Sequence, residues 1–198
     1  MTTFTTVPLF GGALTADLPP DFADVSTIRQ VPDNQEVYLH TTGLTSIIFD
    51  ITERIIQPND SSDEAALCFH FADIVTSSAD ETRIWADFAP AALAKCRMSI
   101  PAFTMFATQH PSAAPSRSPQ ADFTGIFLVL MLLAAQKTDI VISINVPHMA
   151  DEYAREDVDL EARKPGPLLG AAIQMRDRIL ETFEVKHWDL IVNEEEEA

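Results

Sequence analysis

Positive charge is what this 198-residue chain has least of: 13 Lys and Arg stand against 30 Asp and Glu, a formal net charge of −17. A surface of that sign repels phosphate backbones and anionic lipid head groups, which argues against nucleic acid and membrane surfaces as partners. Cysteine is nearly absent as well. Cys68 and Cys96 sit in no CxxC spacing, and no secretory apolar region opens the chain, so two reduced thiols in an intracellular protein are expected. Long hydrophobic runs are missing: Ile126–Ala135 is about half of what a bilayer crossing requires. Glycine-rich phosphate loops are missing too, neither GxxxxGK[ST] nor GxGxxG occurring, and there is no GxSxG or ordered Ser–His–Asp set. His70 and Asp73, with Cys68 close by, are too few for a metal site, and His40, His110, His148 and His187 have no HxxxH-like spacing. No cofactor and no catalytic residue is expected.

What is present is a core. Hydrophobic residues make up 46% of the chain, enough for one domain over 1–192, followed by a solvated acidic tail over 193–198 that contains Glu194–Glu197. Val7–Leu18 reads as two short strands, or one with a bulge, broken at Gly11-Gly12. Pro32, Asp33 and Asn34 make a turn before a strand over Val37–His40. Further strands are expected at Ser46–Ile56, Leu67–Phe71, Thr82–Phe88 and Ile100–Thr108, and a buried hairpin from Phe123–Leu133 and Ile140–Val146. Helical turns are expected at Pro90–Cys96 and a helix-compatible stretch at 149–164. Pro111–Gln120, rich in Pro and Ser, reads as an exposed loop. Leu168–Phe183 repeats apolar residues at 3–4 spacing, the pattern of an amphipathic helix laid on a sheet. Strands without regular intervening helices do not make βαβ units, so the fold class is α+β, a mainly antiparallel sheet flanked by α-helices.

Two charges stand out because of where they lie. Asp50 and Glu53 fall inside SIIFDITERII, where a buried carboxylate without a partner is costly. Either they pair with Arg54 or another cation, or they face water on the open side of a sheet. Residues three apart point to opposite faces of a regular strand, so both serve one surface only at a strand end, bulge or edge.

Four segments in order, PLFGGALTADLP, VPDNQEVYLH, IIFDITE and TDIVISINVP, resemble the Ran guanine nucleotide release factors, a family of small nuclear-import cofactors. The likeness runs from Pro8 to Pro147 and does not extend to about Ala72–Phe123 or to the acidic tail. It implies a fold similar to the photosystem II extrinsic P subunit. It also implies binding of the small GTPase Ran, release of its guanine nucleotide, preferably GTP, and residence in the nucleus as well as the cytoplasm, as a monomer without enzymatic chemistry. The family's acidic contacts carry over onto Asp50 and Glu53, and Asp33 and Glu36 of the PDNQEV signature are assigned to the same surface. Two other readings remain at this stage: an adaptor that binds Ran or another protein without promoting exchange, and a small ligand-binding protein of the same fold.

Overall fold

The longest apolar run and the strand that follows it form the centre of the molecule. The computed structural model describes residues 3–26, 28, 31–58, 60–75, 80–96, 100–112 and 119–191. Its strands are β1 (Thr5–Leu9), β2 (Leu14–Leu18), β3 (Phe22–Asp24), β4 (Gln35–His40), β5 (Ser46–Glu53), β6 (Glu81–Ala91), β7 (Ala102–His110), β8 (Phe123–Leu133), β9 (Thr138–His148) and β10 (Glu184–Val185), and its helices are α1 (Asp63–Val75) and α2 (Gly166–Thr182). A seven-stranded sheet runs β3-β4-β5-β9-β8-β7-β6, and a three-stranded one β1-β2-β10. Every pairing is antiparallel. β8 and β9 are buried on both faces, which is why β8 reads as a continuous apolar run; β9 is interrupted by Asp139, Ser143 and Asn145.

Strand periodicity divides the core in two. Ile47 and Phe49 of β5 join Ile140, Ile142 and Ile144 of β9 and Phe127, Val129 and Met131 of β8 on one face, under Leu169, Ala172, Met175 and Ile179 of α2. Gly125 admits that helix, because a Cβ there would stand 2.4 Å from Leu169 Cδ2. On the other face Ile126, Leu128, Leu130 and Leu132 pack under Ala66, Leu67 and Phe71 of α1. No helix among the described residues is long and apolar enough to cross a membrane.

Three expected elements differ. Leu67–Phe71 lies inside α1, where burial of Ala66, Leu67, His70 and Phe71 follows a helical stripe. The helix starts where Ser62 Oγ accepts the Ala65 N–H at 3.2 Å and Asp63 and Glu64 fill the first turn. Pro90 and Ala91 end β6, and the described residues that follow up to Cys96 form no helix. The 149–164 stretch is turns around one short 3-10 segment, Arg155–Asp157. Residues 113–118 of the Pro/Ser stretch and the acidic tail lie outside the described residues.

Candidate functional site

Asp50 sits where β4 begins and β5 is about to end. The register sets Gln35 opposite Asp50, and the ladder continues outward as Ile51 N–H donates to Asn34 O at 2.9 Å. The Pro32–Gln35 turn, closed by Gln35 N–H to Pro32 O at 2.9 Å, therefore folds directly over this end of β5. Asn34 Nδ2 donates to Asp50 Oδ1 at 2.7 Å and Gln35 Nε2 to Oδ2 at 2.9 Å. Both carboxylate oxygens are thus held by neutral amides, and among the described residues no cation forms a salt bridge with them. Burial pushes the Asp50 carboxyl above its ordinary value, the Gln35 bond, the His70 field and the Asn34 bond pull it back in part, and the Asp73 charge adds to the rise. The arrangement is a fixed, half-desolvated anion with unspent capacity for a cation.

The other three acidic candidates divide between the sheet's faces. Asp33 is exposed in the turn at this same end. Glu53 closes β5, exposed, opposite Thr138. By strand alternation its side chain leaves on the α2 side with Phe49 and Ile51, while Asp50 leaves on the α1 side. No register shift interrupts the β5–β9 ladder to bring them together. They share the strand's end, not its face. Glu36, opposite Phe49, points to the α2 side and does something else. Its Oε1 accepts the Phe10 N–H at 2.6 Å, and its Oε2 is buried without a hydrogen-bond partner. Phe10 (φ 49), Gly11 (φ 64) and Gly12 (φ 94) all lie in the left-handed region. For Phe10 that conformation costs about 1–2 kcal/mol, and the Glu36 bond offsets part of it. Burial raises the Glu36 carboxyl, the Phe10 bond opposes this, and the Asp24 charge adds to the rise.

Beneath Asp50 lies an ionic group that sequence reasoning missed. Asp139, fully buried, faces α1 from β9 and accepts the Ile55 N–H at 2.9 Å on Oδ2, which also lies 3.0 Å from His70 Nε2. Arg54 Nη1 stands 3.6 Å from Asp139 Oδ1, and Arg54 Nη2 3.5 Å from Asp63 Oδ1 at the start of α1. Arg54 therefore ties β9 to α1 and leaves Asp50 to its amides. The one sequence signal was Asp139 itself, a charge inside TDIVISINVP.

Known proteins are similar to this chain in sequence and in fold. The family model described as "Ran-interacting Mog1 protein" matches residues 7–147, more than half of the chain. The nuclear import protein mog1 of Schizosaccharomyces pombe is 38% identical over 152 residues, 71% of this chain and 76% of that protein. A Ran guanine nucleotide release factor of Danio rerio is 43% identical over 79 residues, 39% of this chain and 42% of that protein. The crystal structure of the Saccharomyces cerevisiae Ran-binding protein Mog1p superposes with a TM-score of 0.71 at 25% identity, covering 98% of this chain and 100% of that one.

Proposed function

Because the chain belongs to the family of Ran-interacting Mog1 proteins, we propose that it binds the small GTPase Ran and promotes release of its bound guanine nucleotide in support of nuclear protein import. The observation that carries the reading is Asp50: a half-buried carboxylate held by two amides, lying in one of the segments the family model matches. Asp33 and Glu53 stand at the same end of the sheet as further anions. Glu36 is set aside from this surface, since it holds the Phe10–Gly12 turn against β4. The protein acts without covalent chemistry, as a monomer, in the nucleus and the cytoplasm.

The mechanism is linkage. A protein that lowers Ran's affinity for nucleotide must bind nucleotide-free Ran more tightly than loaded Ran, by the same factor. A tenfold effect requires about 1.4 kcal/mol of coupling. Asp50 supplies it by engaging a Lys or Arg beside the nucleotide pocket of Ran, in a geometry available only when nucleotide has left. Its amide clamp matters because a carboxylate already oriented and part-desolvated gives up less on docking than a freely rotating, fully hydrated one.

The test is the dissociation rate of a fluorescent GTP analogue from Ran, alone, with this protein, and with the Asp50→Ala/Glu53→Ala variant. The expected result is acceleration of at least tenfold by the wild type and loss of most of it in the folded double variant. Binding without acceleration points to an adaptor, and no binding overturns the reading.

A further inference from the structure

The large sheet is covered unequally. One face carries α2 and leans on the three-stranded sheet. On the other face α1 is the covering helix among the described residues, and it packs on β7, β8 and β9. Leu128 and Leu130 of β8 are fully buried there, while Val37 and Leu39 of β4 and Ile48 of β5, on the same face, stay partly open. The register gathers these three beside Asp50: Val37 opposite Ile48, Leu39 opposite Ser46, Gln35 opposite Asp50. Across Asp50 from these strands stands α1, whose Asp73 charge reaches Asp50; Phe69, 41% exposed, precedes Asp73 by one helical turn. The result is one surface, aliphatic on the strands and acidic at Asp50.

We propose that this α1-side surface is the apolar part of the docking footprint, and that it receives a hydrophobic patch of Ran bordered by lysine or arginine. The proposal rests on the reading of the chain as a Ran-binding protein. A second copy of the chain is the wrong occupant on charge grounds. A twofold contact through this patch sets Asp50 near Asp50, on a chain of net charge −17, and like charges brought together in an interface repel. A basic partner meets the opposite sign. The footprint is then centred on Asp50, with Glu53 at its rim and Glu36 outside it. The aliphatic strand residues supply the desolvated contact in which Asp50 pairs more strongly than it does in water.

The experiment measures equilibrium binding of nucleotide-free Ran to the wild type, Asp50→Ala, Ile48→Glu, Val37→Thr and Ile84→Glu. Ile84 serves as a matched control, 45% exposed on the edge strand β6. If binding depends on charge alone, Ile48→Glu tightens it by adding an anion beside Asp50. If Ile48 is in the footprint, it weakens binding at least tenfold despite the added charge, while Ile84→Glu stays within twofold of wild type. That second pattern is expected. Val37→Thr keeps a β-branched side chain and the fold, and should weaken binding about threefold; it decides the matter if Ile48→Glu does not fold. Unchanged or tighter binding by both variants, with Asp50→Ala still weak, overturns this footprint but leaves the Ran reading standing. Failure of the wild type to bind Ran removes that reading and the footprint with it. Conversion of a dimer to a monomer by Ile48→Glu, with Ran affinity untouched, also overturns the proposal.

Discussion

Asp50 and Glu36 have the same environment in one respect, burial that raises both carboxyls, and different uses for it. A folded pKa above the unfolded one means that the folded state holds its proton more tightly. Each ionised group therefore costs stability at neutral pH, and the cost disappears as pH falls through the raised value. Glu36→Gln removes the charge and keeps an oxygen for the Phe10 N–H. Its thermal midpoint at pH 7 should equal or exceed wild type, and the difference should vanish below about pH 4, where the wild-type carboxyl is protonated. Glu36→Ala leaves the Phe10 N–H unpaired and should lower stability by about 1–2 kcal/mol in urea. Neither change should move Ran affinity. If Asp50 is the contact proposed above, the same titration governs binding, since only the ionised form attracts a basic partner. Affinity should fall as pH drops through a value above the ordinary 3.8, earlier than for an exposed carboxylate, and Asp50→Ala should be flat over that window. An identical pH profile in the variant would show that Asp50 carries no binding energy. Asp50 was legible in the sequence because a charge interrupts a local apolar run. Glu36's role was not, because its partner Phe10 is 26 residues away and only the docking of β1 and β2 against β4 brings them together.

The element that sequence reasoning misassigned, α1, is also the one held by the interaction it could not see. LCFHF alternates like a strand, but the polar residues before it supply the helix's cap and first turn, with Ser62 as N-cap. The hairpin of β8 and β9, strands β4, β5 and β7, and α2 were legible because each carries its own periodicity or an unbroken apolar run. The contact that fixes α1 spans 69 residues, from His70 to Asp139, and leaves no local trace. It sets the height of the helix above β9 and so where Phe69 and Asp73 stand relative to Asp50. Asp139→Ala leaves Arg54 with Asp63 alone and takes the buried partner from the His70 ring and the Ile55 N–H. Breaking a buried charged group in this way costs roughly 3–5 kcal/mol, measurable as a shift of the urea midpoint with an unchanged slope. Hydrogen exchange should show α1 amides losing protection first. A loss confined to the β4–β5 amides would mean that the network braces the sheet and not the helix.

At the scale of the whole molecule the −17 charge has no structural reason, since it opposes compaction, and it needs a kinetic one. A uniformly acidic surface raises the rate at which a basic partner arrives, and mobile ions screen that effect over about 10 Å at 0.1 M salt. Complex lifetime depends instead on desolvated contacts, which salt reaches poorly. The chain's last described residue, Ile191, is buried, and its carbonyl accepts the Thr138 hydroxyl at 3.1 Å. Thr138 pairs with Glu53, so the described chain ends beside the rim of the proposed docking face. Deleting residues 193–198 removes four of the 30 acidic side chains. The association rate with Ran should then fall severalfold at 50 mM salt, on the order expected for losing part of a steering field, with the dissociation rate within twofold of wild type. At 500 mM salt the two proteins should associate alike. A change in dissociation that persists at high salt would instead assign the tail a direct contact with Ran. Salt-independent association by both proteins would remove long-range attraction from the mechanism and leave the Asp50 surface to account for recognition alone.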